Sequence, residues 1–135
     1  MGKYKVIVTA RSFGKADDQA LRLLEEHGCD VVKLAAGDAA FDEQIKKEIT
    51  AADAVIAGLD AYSGELIDSA ERLKVISRYG VGYDKVDVEA ANRKGILVTI
   101  TPGANGDSVA DLAVTLMLDA ARNVAAMDAA MKGRA

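Results

Sequence analysis

Gly80-Val81-Gly82 is the stretch of this sequence with the clearest chemical implication. The apolar pair Val75-Ile76 runs through Ser77-Arg78-Tyr79 into two glycines one residue apart. Without Cβ atoms, such a turn lets backbone N–H groups approach an anion closely. Its spacing begins like a dinucleotide fingerprint, but the third glycine position holds Lys85, and two glycines alone are a weak marker. Two readings therefore stand, a structural tight turn and a backbone cradle for a small carboxylate or phosphate. Arg11 and Arg78 are the candidate cations for such a ligand. Arg78 equally suits a loop residue paired with an acid. Asn105, between Pro102 and a helix start, suits either a hydrogen bond to a ligand or a turn in which Ala104-Asn105-Gly106 takes a positive φ.

Other reactive groups are sparse. The one histidine, His27, follows Glu26 near a predicted helix end and reads as a solvated side chain. No Ser/His/Asp set forms around it, so no catalytic residue is assigned. One histidine and one cysteine do not supply a zinc site, so no metal is expected. Cys29 reads as a small buried residue and suits a reducing compartment. The net charge of −4 and the scattered lysines and arginines argue against nucleic acid as the main partner. The N-terminus lacks the apolar run of a signal peptide, and no apolar segment is long enough to span a bilayer. A cytoplasmic protein without a membrane contact is the expectation.

Short apolar strands alternate with helices along residues 1–107. Strands are predicted at 4–10, 29–34, 53–59, 73–77 and 96–100. Helices are predicted at 15–27, with Ala16, Ala20, Leu23 and Leu24 inward; at 41–51, with Phe41, Ile45 and Ile49 inward; at 63–71, capped by Ser63; and at 87–93, capped by Asp87. The small polar segment 35–40 is a loop. Five βα repeats with short connections predict an α/β, flavodoxin-like parallel sheet of order 2-1-3-4-5 with helices on both faces. In such sheets ligands bind outside the carboxyl ends of the strands. The glycine turn falls on that edge, beside the loops 11–14, 35–40, 58–62 and 102–107.

Residues 108–135 differ. From Ser108 to Met131 no breaker interrupts the helical pattern, which would extend roughly 36 Å. Ser108 and Asp111 resemble a capping box. Val109, Leu112, Leu116, Ala120, Val124, Met127 and Met131 form one apolar stripe, widened by Val114, Met117 and Leu118. A helix this apolar is expected to be covered on more than one side, by a partner subunit or another domain.

Three segments resemble the D-isomer-specific 2-hydroxyacid dehydrogenases, in particular the phosphoglycerate dehydrogenase branch: residues 73–87 around Gly80-Val81-Gly82-Tyr83-Asp84, then 95–105, then Ser108-Val109-Ala110-Asp111-Leu112. The openings at 8–14 and 26–29 are similar too. The resemblance implies an NAD-dependent oxidoreductase acting on a small 2-hydroxy or 2-keto acid. This chain corresponds to its substrate-binding segment (residues 1–107) plus the helix (residues 108–135) that crosses to a Rossmann domain. That domain and the family's catalytic Arg, Glu and His have no counterpart here, so the chain alone is expected to bind no NAD and to be inactive. By the resemblance, Gly80, Val81 and Gly82 hold the substrate carboxylate. Val81 also lies near the nicotinamide, Asn105 faces substrate or cofactor, and Val109 packs near the nicotinamide. The helix at 108–132 would join a homodimer. The alternative is a non-catalytic flavodoxin-like module that self-associates through this helix. Ala57-Gly58 stands where some phosphoglycerate dehydrogenases carry an arginine for the substrate phosphate, which speaks against phosphoglycerate as substrate.

Overall fold

The computed structural model describes residues 3–34 and 41–133, so the loop expected at 35–40 lies outside the described residues. The chain forms two compact units, residues 1–102 and 103–135. In the first, β1 (Tyr4–Val8), β2 (Cys29–Lys33), β3 (Ala54–Ala57), β4 (Val75–Arg78) and β5 (Leu97–Thr99) make one sheet. Every pairing is parallel and the order is β2-β1-β3-β4-β5, as the alternation of elements predicts. The register sets Val6, Ile7 and Val8 against Ala54, Val55 and Ile56, and Ile76 against Val98.

Period-two alternation sends successive strand residues to opposite faces. Ile7, Val55 and Ile76 enter the larger core, with Phe41, Ile45 and Ile49 of α2 (Phe41–Ile49), Leu66 and Ile67 of α3 (Gly64–Ser69), and Ala90 and Ala91 of α4 (Val88–Arg93). Val8, Val31 and Ile56 face the other way. There they pack with Ala10, Phe13, Leu21 and Leu24 under α1 (Gln19–Glu26). The caps expected at Ser63 and Asp87 are present: Ser63 Oγ accepts from the Leu66 amide at 3.4 Å and Asp87 Oδ1 from the Ala90 amide at 2.9 Å.

The first helix departs from expectation. Residues 11–16 turn instead of coiling, and α1 begins only at Gln19. Phe13 tucks into the smaller core, which needs an irregular backbone at that point. The inward residues are Leu21 and Leu24, so of the expected stripe Leu24 holds its place, while Ala16, Ala20 and Leu23 are exposed. Gly28 follows the helix at φ +74°, where any side chain would be strained. Cys29, expected buried, is half-buried.

The second unit holds α5 (Gly106–Arg122) and α6 (Val124–Met131). The helix expected to run unbroken from Ser108 is broken at Asn123, whose φ of 53° and ψ of 39° are left-handed. Asparagine tolerates that region better than other residues with a Cβ. Across the break, Asp119 Oδ1 accepts the Ala125 amide at 2.9 Å and so caps the second helix from the first. The Ser108 capping box does not form, because α5 starts two residues earlier with Asn105 at its N-cap and no side-chain cap bond. No helix among the described residues is long and apolar enough to cross a membrane.

Asp53 ties the sheet to the segment entering β4. Its carboxylate accepts the Lys5 amide at 2.9 Å and Arg72 Nη2 at 3.0 Å. These interactions, the backbone bond foremost, hold its pKa below the ordinary carboxylate value. The stabilisation is therefore present above about pH 4 and is lost as pH falls through the depressed native value. Asp53→Asn is expected to lower stability at pH 7 and to flatten the acid limb, measured by urea unfolding between pH 2 and 7. An unchanged acid limb would remove Asp53 from that account.

Candidate functional site

Thr9 follows β1 and is 1% exposed. Its Oγ1 accepts the Gly58 amide at 2.9 Å and lies 2.9 Å from Tyr62 Oη, all of it buried. The approach is tight: a Cβ on Gly58 would stand 2.7 Å from the Thr9 carbonyl oxygen. Burial pushes the Tyr62 hydroxyl well above its ordinary pKa. The bond to Thr9 partly opposes this, and the Asp60 carboxylate adds to it. Tyr62 thus stays neutral and acts as a pin between β1 and the loop after β3.

That pin reaches the glycine turn through the backbone. Tyr62 donates its amide to Lys85 O at 2.7 Å and accepts from the Asp87 amide at 2.9 Å. On the other side, the Tyr79 amide donates to Ala57 O at 2.9 Å and the Thr101 amide to Gly80 O at 3.0 Å. Gly80 sits at φ +153°, and a Cβ there would meet Arg78 Nη1 at 3.1 Å. Arg78 folds back beneath the turn, Nη1 donating to Tyr79 O at 2.8 Å and Ala57 O at 3.3 Å. The Gly80 amide is spent on Arg78 O at 2.9 Å. Among the described residues, the next two amides, of Val81 and Gly82, donate no backbone hydrogen bond. These are the groups an anion would meet.

Beside the turn lies a cleft of about 430 Å³ walled by Arg11, Ser12, Leu59, Asp60, Arg78 and Tyr79. Phe13 sets its edge against the Tyr79 ring at a centroid distance of 5.8 Å. Neither arginine forms an ion pair among the described residues. Asp60 Oδ2 is buried without a hydrogen-bond partner.

The sequence candidates thus divide between the two units. Gly80, Val81, Gly82, Arg11 and Arg78 belong to the first; Asn105 and Val109 belong to the second. Asn105 has φ −117°, so the positive φ expected at 104–106 falls instead on Gly103 at +74°. The Asn105 carbonyl accepts the Val109 amide at 2.9 Å and opens α5. His27 is exposed at the end of α1, its Nδ1 donating to Leu23 O at 2.8 Å. Thr9, Asp60 and Tyr62 were missed. A threonine ending the run Val6-Ile7-Val8 reads as one more β-branched strand residue, and only the crossing of β1 and β3 reveals its hydroxyl as a junction.

A parallel sheet of this order, with a cleft at its carboxyl edge, is an α/β architecture of the class that binds ligands on that edge. The catalytic domain of D-isomer specific 2-hydroxyacid dehydrogenases matches residues 6–133, and the chain belongs to that family. It is 42% identical, over 85% of its own length and 21% of the relative's, to a D-3-phosphoglycerate dehydrogenase of Methanocaldococcus jannaschii. It is 38% identical, over 82% of its length and 33% of the relative's, to a glyoxylate reductase of Thermofilum pendens. Among solved structures, the TT0316 protein of Thermus thermophilus superimposes with a TM-score of 0.80 at 37% identity, covering 96% of this chain and 40% of that one. The NAD+-bound 3-phosphoglycerate dehydrogenase of Entamoeba histolytica gives 0.73 at 33% identity, covering 86% and 38%. The chain thus spans well under half the length of these relatives.

The Thr9 junction has a measurable consequence. Thr9→Val keeps the shape and leaves the Gly58 N–H and Tyr62 O–H buried without an acceptor, at a cost of about 2 kcal/mol or more. Thr9→Ser, which keeps the oxygen, is expected to cost less than half as much. Urea denaturation of the two variants checks this, and equal losses would refute it.

Proposed function

We propose that this chain is the substrate-binding portion of an NAD-dependent D-2-hydroxyacid dehydrogenase, with the turn at 80–82 holding the substrate carboxylate. The observation that carries the reading is the pair of unspent amides of Val81 and Gly82, on the edge where sheets of this class bind ligands. The Gly80 amide is itself committed to Arg78 O, so the reading rests on the two amides that follow. By the family resemblance, Val81 would also border the nicotinamide.

The turn at 80–82 differs from a pyrophosphate cradle. A pyrophosphate cradle joins a glycine turn directly to a helix N-terminus. Here Tyr83 to Asp87 intervene, bridged to Tyr62, before α4 starts at Val88. NAD binding and hydride transfer therefore belong, in this reading, to the complete enzyme, and the 135-residue chain alone is inactive and takes up no NAD. Titration of isotope-labelled protein with D-lactate is expected to move the Val81 and Gly82 amide resonances with a dissociation constant on the order of 1 mM. Gly80→Ala should weaken this about tenfold, because alanine resists the required φ and presses on Arg78. An NADH-coupled assay should show no turnover. Amide shifts scattered away from the turn, or turnover by the chain alone, would sink the reading.

A second reading, a self-associating module, has its own support. Val109, Leu112, Leu116, Leu118 and Met127 are all exposed, and Met117 is 68% exposed. So large an apolar surface on one helical unit calls for a cover, and a second copy of the chain supplies a matching one. Sedimentation equilibrium at micromolar concentration is expected to show a dimer that Leu112→Glu with Leu116→Glu converts to monomer. A monomeric wild type would remove this reading.

A further inference from the structure

Among the described residues, Tyr62 is the largest fully buried side chain. A phenylalanine would fill the same space without a polar atom to satisfy. The Tyr62 hydroxyl has one partner among the described residues, Thr9 Oγ1 at 2.9 Å, which is itself buried. Burying two hydroxyls to form one mutual hydrogen bond adds little net stability, because each gives up water for it. What the bond adds is direction, since it fixes the ring against the end of β1.

The backbone of the same residue is fixed elsewhere. Its amide donates to Lys85 O at 2.7 Å and its carbonyl accepts the Asp87 amide at 2.9 Å, an isolated parallel bridge on the buried Val86. The Val86 amide donates to Tyr83 O at 2.9 Å, so the chain leaving Gly82 is tied down almost at once. The chain entering the turn leads to the same place. The Tyr79 amide donates to Ala57 O at 2.9 Å, and the adjacent Gly58 amide donates to Thr9 Oγ1 at 2.9 Å. Entry and exit therefore converge on one oxygen. From Thr9 the path runs through residues 57–58 to Tyr79, around the amides of Val81 and Gly82, and back through residues 85–87 to Tyr62. The Tyr62 hydroxyl is the link that closes it.

We infer that Tyr62 is a positioning residue for the turn: by closing this ring of bonds, its hydroxyl fixes the spacing between entry and exit of residues 80–82 and so the direction of the Val81 and Gly82 amides. The side chain is fully buried and does not wall the adjoining cleft, so it acts through the backbone and not on the ligand. This role rests on the proposed hold of a carboxylate by the turn.

Tyr62→Phe in the full 135-residue chain removes the closing link and keeps the aromatic ring. Its affinity for D-lactate, read from the Val81 and Gly82 amide resonances, is expected to fall about fivefold, the worth of roughly one hydrogen bond. The same two resonances should already be displaced in the ligand-free variant. Thr9→Ser keeps the oxygen and should bind D-lactate within about twofold of wild type. Ile49→Val, a change in the larger core away from the ring of bonds, lowers the urea midpoint and should leave D-lactate affinity unchanged. Wild-type affinity with undisplaced resonances in Tyr62→Phe would overturn the positioning role and leave the turn's role standing. An equal loss of affinity in Ile49→Val would also overturn it, by tracing the effect to stability alone. Failure of D-lactate to move the Val81 and Gly82 resonances of the wild type would overturn the turn's role and the positioning role together.

Discussion

The hydroxyl of Thr9 is the interaction on which the ligand edge depends. It is one oxygen, buried where β1 ends, and it bonds both the Gly58 amide and the Tyr62 hydroxyl. Gly58 leaves β3, and Tyr62 opens the segment that pairs with residues 85–87. One side chain therefore sets the relative positions of three connections that local sequence does not relate. Groups buried in this way must be satisfied or cost free energy, so the arrangement tolerates little slack. The short glycine at 58 follows from it, since the two backbones touch where a Cβ would go.

The glycine turn inherits its shape from that junction and from Arg78. The bonds from Tyr79 to Ala57 and from Thr101 to Gly80 hold the entry to the turn. Tyr62 holds the exit. Between them Arg78 fills the underside and makes glycine necessary at position 80. Among the described residues, Arg78 thus engages the fold through one nitrogen, Nη1.

The second unit follows another logic. Its two helices bury no residue fully, although most of their side chains are apolar. The break at Asn123 costs little because Asp119 recaptures an amide across it. A helical unit with this composition reads as a surface awaiting a cover. It contrasts with α2, α3 and α4, whose inward faces are buried.

Much of this was legible from residue order alone. Alternating apolar strands and amphipathic helices determined the parallel sheet and its order, because strands that dense in apolar residues need both faces covered and short parallel links need helices. The caps at Ser63 and Asp87, the inward face of Phe41, Ile45 and Ile49, and the place of Gly80-Val81-Gly82 on the ligand edge are equally local or topological in origin. The start of α1, the break at Asn123 and the inward Leu21 were not legible, since burial of Phe13 and a side-chain bond across the helix break decided them. Tertiary structure alone decided that Thr9 joins Gly58 and Tyr62, and that Arg11, Asp60 and Arg78 wall one cleft. Those residues stand as far as 67 positions apart in the chain, and only the pairing of β1 with β3 and β3 with β4 brings their loops together. Sequence determined the sheet order and so which edge carries the glycine turn, because periodicity is local; the fold decided which side chains wall the cleft beside it, because that depends on neighbours in space.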